Sequence, residues 1–174
     1  CFVALMRRVH VLEFEDLGWF PAWLRDCMTR LLLVLGEKLG VHDVIAAQVD
    51  SALTRSGESK VVDLGSGSGG PMPRVLERLR AQGREVSLTL TDKYPNAQAA
   101  VGLPEHVHCG IEPVDATELA DAPAGLKTMI NSFHHMRVEQ AKSILQSAQR
   151  ERQALLIYEM DAGKMPFVLW LLLL

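Results

Sequence analysis

Cysteine is scarce in this chain. Cys1, Cys27 and Cys109 lie far apart and no two share a CxxC spacing. That excludes a disulfide framework and the common zinc-binding pattern, and it fits a reducing cytoplasm. No metal site is expected. An excess of positive charge is also missing: a formal net charge of −3 offers no general attraction to nucleic acid or to an anionic membrane, so no nucleic-acid partner is expected. Absent as well are a signal-peptide pattern, an internal repeat, and an apolar run of the roughly 20 residues that a membrane-crossing helix needs. The longest such run, Phe167-Val-Leu-Trp-Leu-Leu-Leu-Leu174, is about half that length. It reads as a buried helix cut short or as the first half of a membrane segment, and on the second reading it would bring membrane association. Together with a start at Cys1 it gives the chain the look of a fragment.

What is present belongs to one globular domain. At 174 residues, with 48% hydrophobic and 22% charged content, the chain is long and apolar enough for a real core. Its expected division is an N-terminal helical cap over 1–58, an α/β core over 59–163 and the start of an apolar helix over 164–174. In the first part, Trp23, Cys27, Leu31, Val34 and Leu35 recur at helical spacing between Ala22 and Leu39. A second helix is expected from Val41 to Leu53, with Val44, Ile45, Val49 and Leu53 on one face. Phe14, Leu17, Trp19, Phe20, Trp23 and Leu24 gather around Pro21, and packing over a sheet is their expected role.

From Lys60 onward the pattern changes. KVVDL is a buried-strand run that ends in GSGSGG, so Gly65, Gly67, Gly69 and Gly70 form a tight turn before a helix at Met72–Arg80. Strand-like runs then recur at Val86–Thr91, Val107–Glu112, Lys127–Asn131 and Ala154–Glu159. Short helical pieces are expected at Ala97–Val101 and Thr117–Leu119, and a clear helix at Arg137–Arg152. Strands alternating with helices predict an α/β, Rossmann-like, open and mostly parallel sheet with helices on both faces.

Gly65, Gly67 and Gly70 satisfy G-x-G-x-x-G, which by itself fits any nucleotide site. Three features narrow it. Asp63 stands two residues before the first glycine, where a carboxylate repels a pyrophosphate but suits an ammonium group. Pro71 and Pro73 remove N–H donors from the helix start, where a phosphate is normally held. Acids also close the next two strand regions, at Asp92 and Asp115. A nucleoside with a cationic amino-acid tail and no phosphate meets all three conditions.

DLGSGSGG, with LTLTDKYPN and PVDATEL in order behind it, resembles the class I S-adenosylmethionine-dependent methyltransferases over about Ser59–Met160. The resemblance implies S-adenosyl-L-methionine as cofactor. It implies that Asp63, Gly65, Ser66, Gly67 and Gly69 meet the methionine end, that Asp92 with Lys93 meets the ribose, and that Asp115 with Ala116 meets the adenine. Asn131-Ser-Phe-His-His135 would line the methyl-transfer site, with Asn131 on the cofactor and His134 as the candidate catalytic base. The family sheet has seven strands and only five are legible here. The expected function is methyl transfer to a small-molecule or lipid-like acceptor, since no Asn/Asp-Pro-Pro-aromatic stretch follows the fourth strand. The alternatives are an NAD(P)-dependent oxidoreductase and a non-catalytic S-adenosylmethionine-binding module.

Overall fold

The computed structural model describes residues 19, 21–67, 69–95 and 103–160. The elements are α1 (Ala22–Lys38), α2 (Val41–Ser56), β1 (Lys60–Leu64), α3 (Met72–Ala81), β2 (Ser87–Thr91), β3 (Val107–Cys109), β4 (Leu126–Ile130), α4 (Val138–Arg150) and β5 (Leu155–Tyr158). A single 3-10 turn, Phe133–His135, lies between β4 and α4. All five strands are parallel, in the order β3-β2-β1-β4-β5. The chain therefore builds outward from β1 in one direction, then returns past it to build β4 and β5 in the other. The loops leaving β1 and β4 diverge at that reversal, which is where open α/β sheets bind ligands.

Alternation along each strand divides the core in two. Val61, Leu88, Leu90, Val107, Leu126 and Ile130 face one helical layer, made of α2 and α3. Val62, Leu64 and Met129 face the other, where Ile144 and Ala148 of α4 cover them together with Leu119. β1 and β4 are central, and every residue of β4 is buried, including Lys127 and Thr128. Lys127 keeps its ammonium satisfied by donating to the carbonyl oxygens of Pro123 and Gly125, which pins the loop that enters β4. Gly125 could not be another residue: its φ is 135°, and a Cβ there would lie 2.6 Å from the Lys60 carbonyl oxygen.

α2 is three residues longer than the spacing predicts, ending where Gly57 turns left-handed (φ 74°) and donates to the Leu53 carbonyl. It buries Ile45, Ala46, Val49, Ala52 and Leu53 in the core, whereas Val44, expected on that face, is exposed. The aromatic expectation needs a larger correction. Trp19 and Trp23 are 70% and 67% exposed, and Leu31 and Val34 of α1 are exposed too, because α1 packs chiefly on α2 and not on the sheet. Phe14, Leu17 and Phe20 lie outside the described residues. β3 is shorter than expected and stops at Cys109, and the helical turn expected at Thr117–Leu119 is a single turn closed by the Glu118 amide on the Asp115 carbonyl. The piece expected at Ala97–Val101 is outside the described residues.

The expected membrane association is also corrected. Among the described residues no helix is long and apolar enough to cross a membrane, and the apolar run 167–174 itself lies outside them.

Candidate functional site

The loop after β1 is held open by its own backbone. Gly65, Gly67, Gly69 and Gly70 all have positive φ, between 49° and 104°, a region costly for any side chain with a Cβ. Their surroundings differ. Gly65 and Gly67 are exposed at the carboxyl end of the sheet, and space beside Gly67 is open. Gly69 is buried, and a Cβ there would meet the Leu90 side chain at 3.5 Å. Ser66 turns back to the sheet: its amide and its hydroxyl both donate to the Thr91 carbonyl, at 3.0 and 3.1 Å. Two glycines therefore present backbone to the crevice, while Ser66 and Gly69 fix the loop from beneath.

Asp63 lies under that loop, 4% exposed. The parallel register places it level with Thr128 on β4, whose hydroxyl donates to Asp63 Oδ1 at 2.6 Å. On the other side Thr91 donates its hydroxyl to the Asp63 carbonyl oxygen at 2.8 Å. Burial pushes the carboxyl up to about 7; the Thr128 bond works against the shift and the nearby Asp92 charge adds to it.

Asp92 directly follows β2 and ties two loops together. Its Oδ2 accepts from the Gly67 amide at 2.9 Å and its Oδ1 from the Tyr94 amide at 2.9 Å. The same carboxylate thus caps the turn at Tyr94 and fixes the glycine loop. Asp115 follows β3. Its Oδ1 accepts from both the Thr117 amide (2.9 Å) and the Thr117 hydroxyl (2.7 Å), and its Oδ2 from Lys93 Nζ (2.7 Å). The Lys93 bond and then the Thr117 bonds hold its carboxyl down at about 2. Lys93 is raised in turn, chiefly by the same bond. Ala116 packs against the core face under α4.

The exit of β4 supplies the third wall. Asn131 adopts φ 53°, a left-handed conformation that asparagine tolerates, and its Oδ1 accepts from the Met160 amide at 2.8 Å, joining the ends of β4 and β5. The Ser132 hydroxyl faces the Leu64 carbonyl at 3.4 Å, and a Cβ on Gly65 would come within 3.8 Å of it. One turn further, His134 Nδ1 lies 2.6 Å from Glu159 Oε2, while Glu159 Oε1 accepts from the Phe133 amide at 2.8 Å. Since a carboxylate only accepts, Nδ1 carries the proton in this pair. The His135 ring stacks obliquely on that of His134, with centroids 4.1 Å apart.

Glu159, at the end of the fifth strand, is legible from its place in the sequence, whereas the partners Thr91, Thr128 and Thr117 are the neighbours that sequence patterns point to least. Thr128 left one trace, a hydroxyl inside an otherwise buried strand. Among the described residues no group of three or more His, Cys, Asp or Glu is placed to hold a metal ion.

The donor set can be compared with what each ligand class needs. α3 has Pro71 at its N-cap and Pro73 in its first turn, so two of the amides that would grip a phosphate do not exist. The Gly67 amide is engaged by Asp92, and the lysine on the rim is engaged by Asp115. Three acids against one paired lysine fit a cationic ligand and not a pyrophosphate.

No protein family and no curated protein matches the chain at the level of sequence. Solved structures do match. An O-methyltransferase family protein from Burkholderia thailandensis aligns with a TM-score of 0.57 and 18% identity over 83% of this chain and 44% of its own. TnmH aligns at 0.53 and 24% identity, over 86% of this chain and 43% of its own. The DszA carbon methyltransferase aligns at 0.51 and 19%, over 70% and 36%. The chain thus spans less than half the length of each, and what it shares with them is an α/β, Rossmann-like fold.

Proposed function

We propose that this chain is the cofactor-binding part of an S-adenosylmethionine-dependent methyltransferase acting on a small-molecule or lipid-like acceptor in the cytoplasm. One observation carries the reading. At the topological switch point, two exposed glycines lie above the buried Asp63, Asp92 holds the Gly67 amide, and prolines replace the amides that a phosphate would use. In this reading Gly65 and Gly67 offer backbone to the amino-acid end of S-adenosyl-L-methionine, with Asp63 beneath them balancing its ammonium charge. Ser66 and Gly69 hold the loop in shape. Asp92 with Lys93 borders the ribose, Asp115 with Ala116 borders the adenine, and Asn131 closes the inner wall beside the methionine end.

When bound, the cofactor supplies a methyl group on a positively charged sulfur, ready for in-line displacement. The protein's part is then to position the acceptor and take its proton. His134 is the base, and Glu159 fixes its tautomer and aims Nε2. The fold shared with methyltransferases supports the cofactor reading, as does the charge balance of the crevice.

Calorimetry on the 174-residue chain tests it. S-adenosylhomocysteine should bind with one site and NADH should not. Binding of NADH without S-adenosylhomocysteine would replace this reading by a nicotinamide-dependent oxidoreductase.

A further inference from the structure

We propose that Asn131 is a positioning residue for His134: it clamps the exit of β5 so that the Glu159 carboxylate meets the imidazole and keeps its proton on Nδ1. The catalytic meaning of this role rests on the reading of His134 as the base. The clamp itself stands on hydrogen bonds alone.

The β4–β5 ladder ends at the pair Ile130 and Tyr158. Beyond it the two strand exits exchange four hydrogen bonds, and Asn131 makes two of them. Its amide donates to the Tyr158 carbonyl at 2.8 Å, and its Oδ1 accepts from the Met160 amide at 2.8 Å. Those partners belong to the peptide units on either side of Glu159. Peptide units are planar, so holding both restricts rotation at the Glu159 Cα and gives its side chain a set direction. The other two bonds run back from that side chain, to the Phe133 amide and to His134 Nδ1.

Few residue types could serve at position 131. With φ at 53° the chain leaves β4 through a left-handed turn, after which Phe133 and His134 meet Glu159. Glycine accepts that conformation but brings no acceptor, whereas most side chains with an acceptor pay a steric penalty there. Asparagine and aspartate combine the tolerance with a short acceptor. Stability does not account for the arrangement. The His134 and Glu159 side chains are 43% and 31% exposed, and a pair so exposed contributes at most about 1 kcal/mol. Direction does account for it, because a carboxylate held at Nδ1 selects one of the two neutral imidazole tautomers.

The tautomer can be read without an acceptor substrate, from long-range proton–nitrogen correlation spectra of the labelled 174-residue chain at alkaline pH. Loss of signals in His134→Gln assigns them. The wild type should show Nδ1–H. Asn131→Gly keeps the left-handed turn and loses the acceptor, and Met160→Pro keeps Asn131 and removes the donor. Both should move the His134 signals toward those of Glu159→Ala, which has no carboxylate to offer. Asn131→Asp keeps turn and acceptor and should retain the wild-type pattern. Wild-type signals in Asn131→Gly and Met160→Pro, in samples whose amide spectra show them folded, overturn the proposal, as does loss of Nδ1–H in Asn131→Asp. If Asn131→Gly does not fold, Met160→Pro decides alone. Calorimetry of the wild type with S-adenosylhomocysteine tests the cofactor reading separately: no binding, with the tautomer shifts as expected, keeps the clamp and overturns His134 as a base for methyl transfer.

Discussion

Asp63 and Asp115 are the same residue type, each near the carboxyl end of the sheet, yet they sit at opposite electrostatic extremes. Asp63 is buried under the glycine loop with one hydroxyl partner, and burial raises it to about 7. Asp115 is on the rim beside a lysine and a threonine, and these lower it to about 2. The inner wall of the crevice is thus a store of latent negative charge, and the outer wall carries negative charge that is already neutralised. A ligand with a cationic tail and a neutral ring suits this asymmetry: the tail draws out the Asp63 charge, and the ring asks for only one hydrogen bond at the rim.

The comparison can be broken at several points. The largest effect should come from the inner wall, where His134→Ala is expected to lower methyl-transfer turnover by about 10²- to 10⁴-fold, the range for general-base catalysis. Affinity for S-adenosylhomocysteine should stay near wild type. Single-turnover assays with labelled S-adenosylmethionine and a panel of hydroxyl-bearing acceptors would report it, and a wild-type rate would remove His134 from the mechanism.

Next in size is the pH dependence of stability. Below about pH 4 both the folded and the unfolded chain carry the Asp63 proton. Between that point and about 7 the unfolded chain releases it while the folded chain retains it, so folding loses stability as pH rises. Above 7 the loss is complete, at most roughly 4 kcal/mol for this shift. Asp63→Asn keeps an oxygen for Thr128 and removes the slope. Urea denaturation at pH 5 and pH 8 should show the variant gaining relative to wild type at the higher pH. An identical slope in both proteins would place the burial cost elsewhere.

Asp92 ties the glycine loop to the turn after β2, and Asp92→Ala frees the Gly67 and Tyr94 amides together. It should weaken S-adenosylhomocysteine binding by about 1–3 kcal/mol, on the scale of charge-assisted hydrogen bonds. Unchanged affinity in a folded variant would show that the glycine loop holds its shape without it. The smallest effect belongs to the rim. The folded pKa of Asp115 is depressed, so its contribution to stability is present above about pH 4 and is lost as pH falls through about 2. The side chain is 39% exposed and water screens the pair, so Asp115→Asn should change stability at pH 7 by less than about 1 kcal/mol. A thermal melt showing a much larger loss would mean that the turn at Thr117, and not the ion pair, sets the energy there.

Much of this was legible in the residues. Val61, Val62 and the glycines locate β1 and its loop because buried β-branched runs and positive φ leave clear marks. The acids at the strand ends follow from spacing alone. What spacing could not show is which atoms each acid meets. Thr128 becomes the partner of Asp63 only through the register of β1 on β4, 65 residues apart in the chain. Glu159 meets His134 only because β5 lies beside β4. The stripe of α1 is legible as a helix, but the packing expected of the aromatic cluster at its start is not what the structure shows. Periodicity shows that a face is apolar and says nothing of whether a sheet lies against it, and here Trp23, Leu31 and Val34 are exposed.

The central claim is that the crevice at the exits of β1, β2 and β4 receives the cofactor. Amide chemical-shift mapping of the labelled chain during titration with S-adenosylhomocysteine tests it most directly. The account predicts the largest shifts at Gly65, Gly67, Asp92 and Asn131, with the α1 amides unmoved and no response to NADH. Shifts confined to α1, or a response to NADH alone, would contradict it.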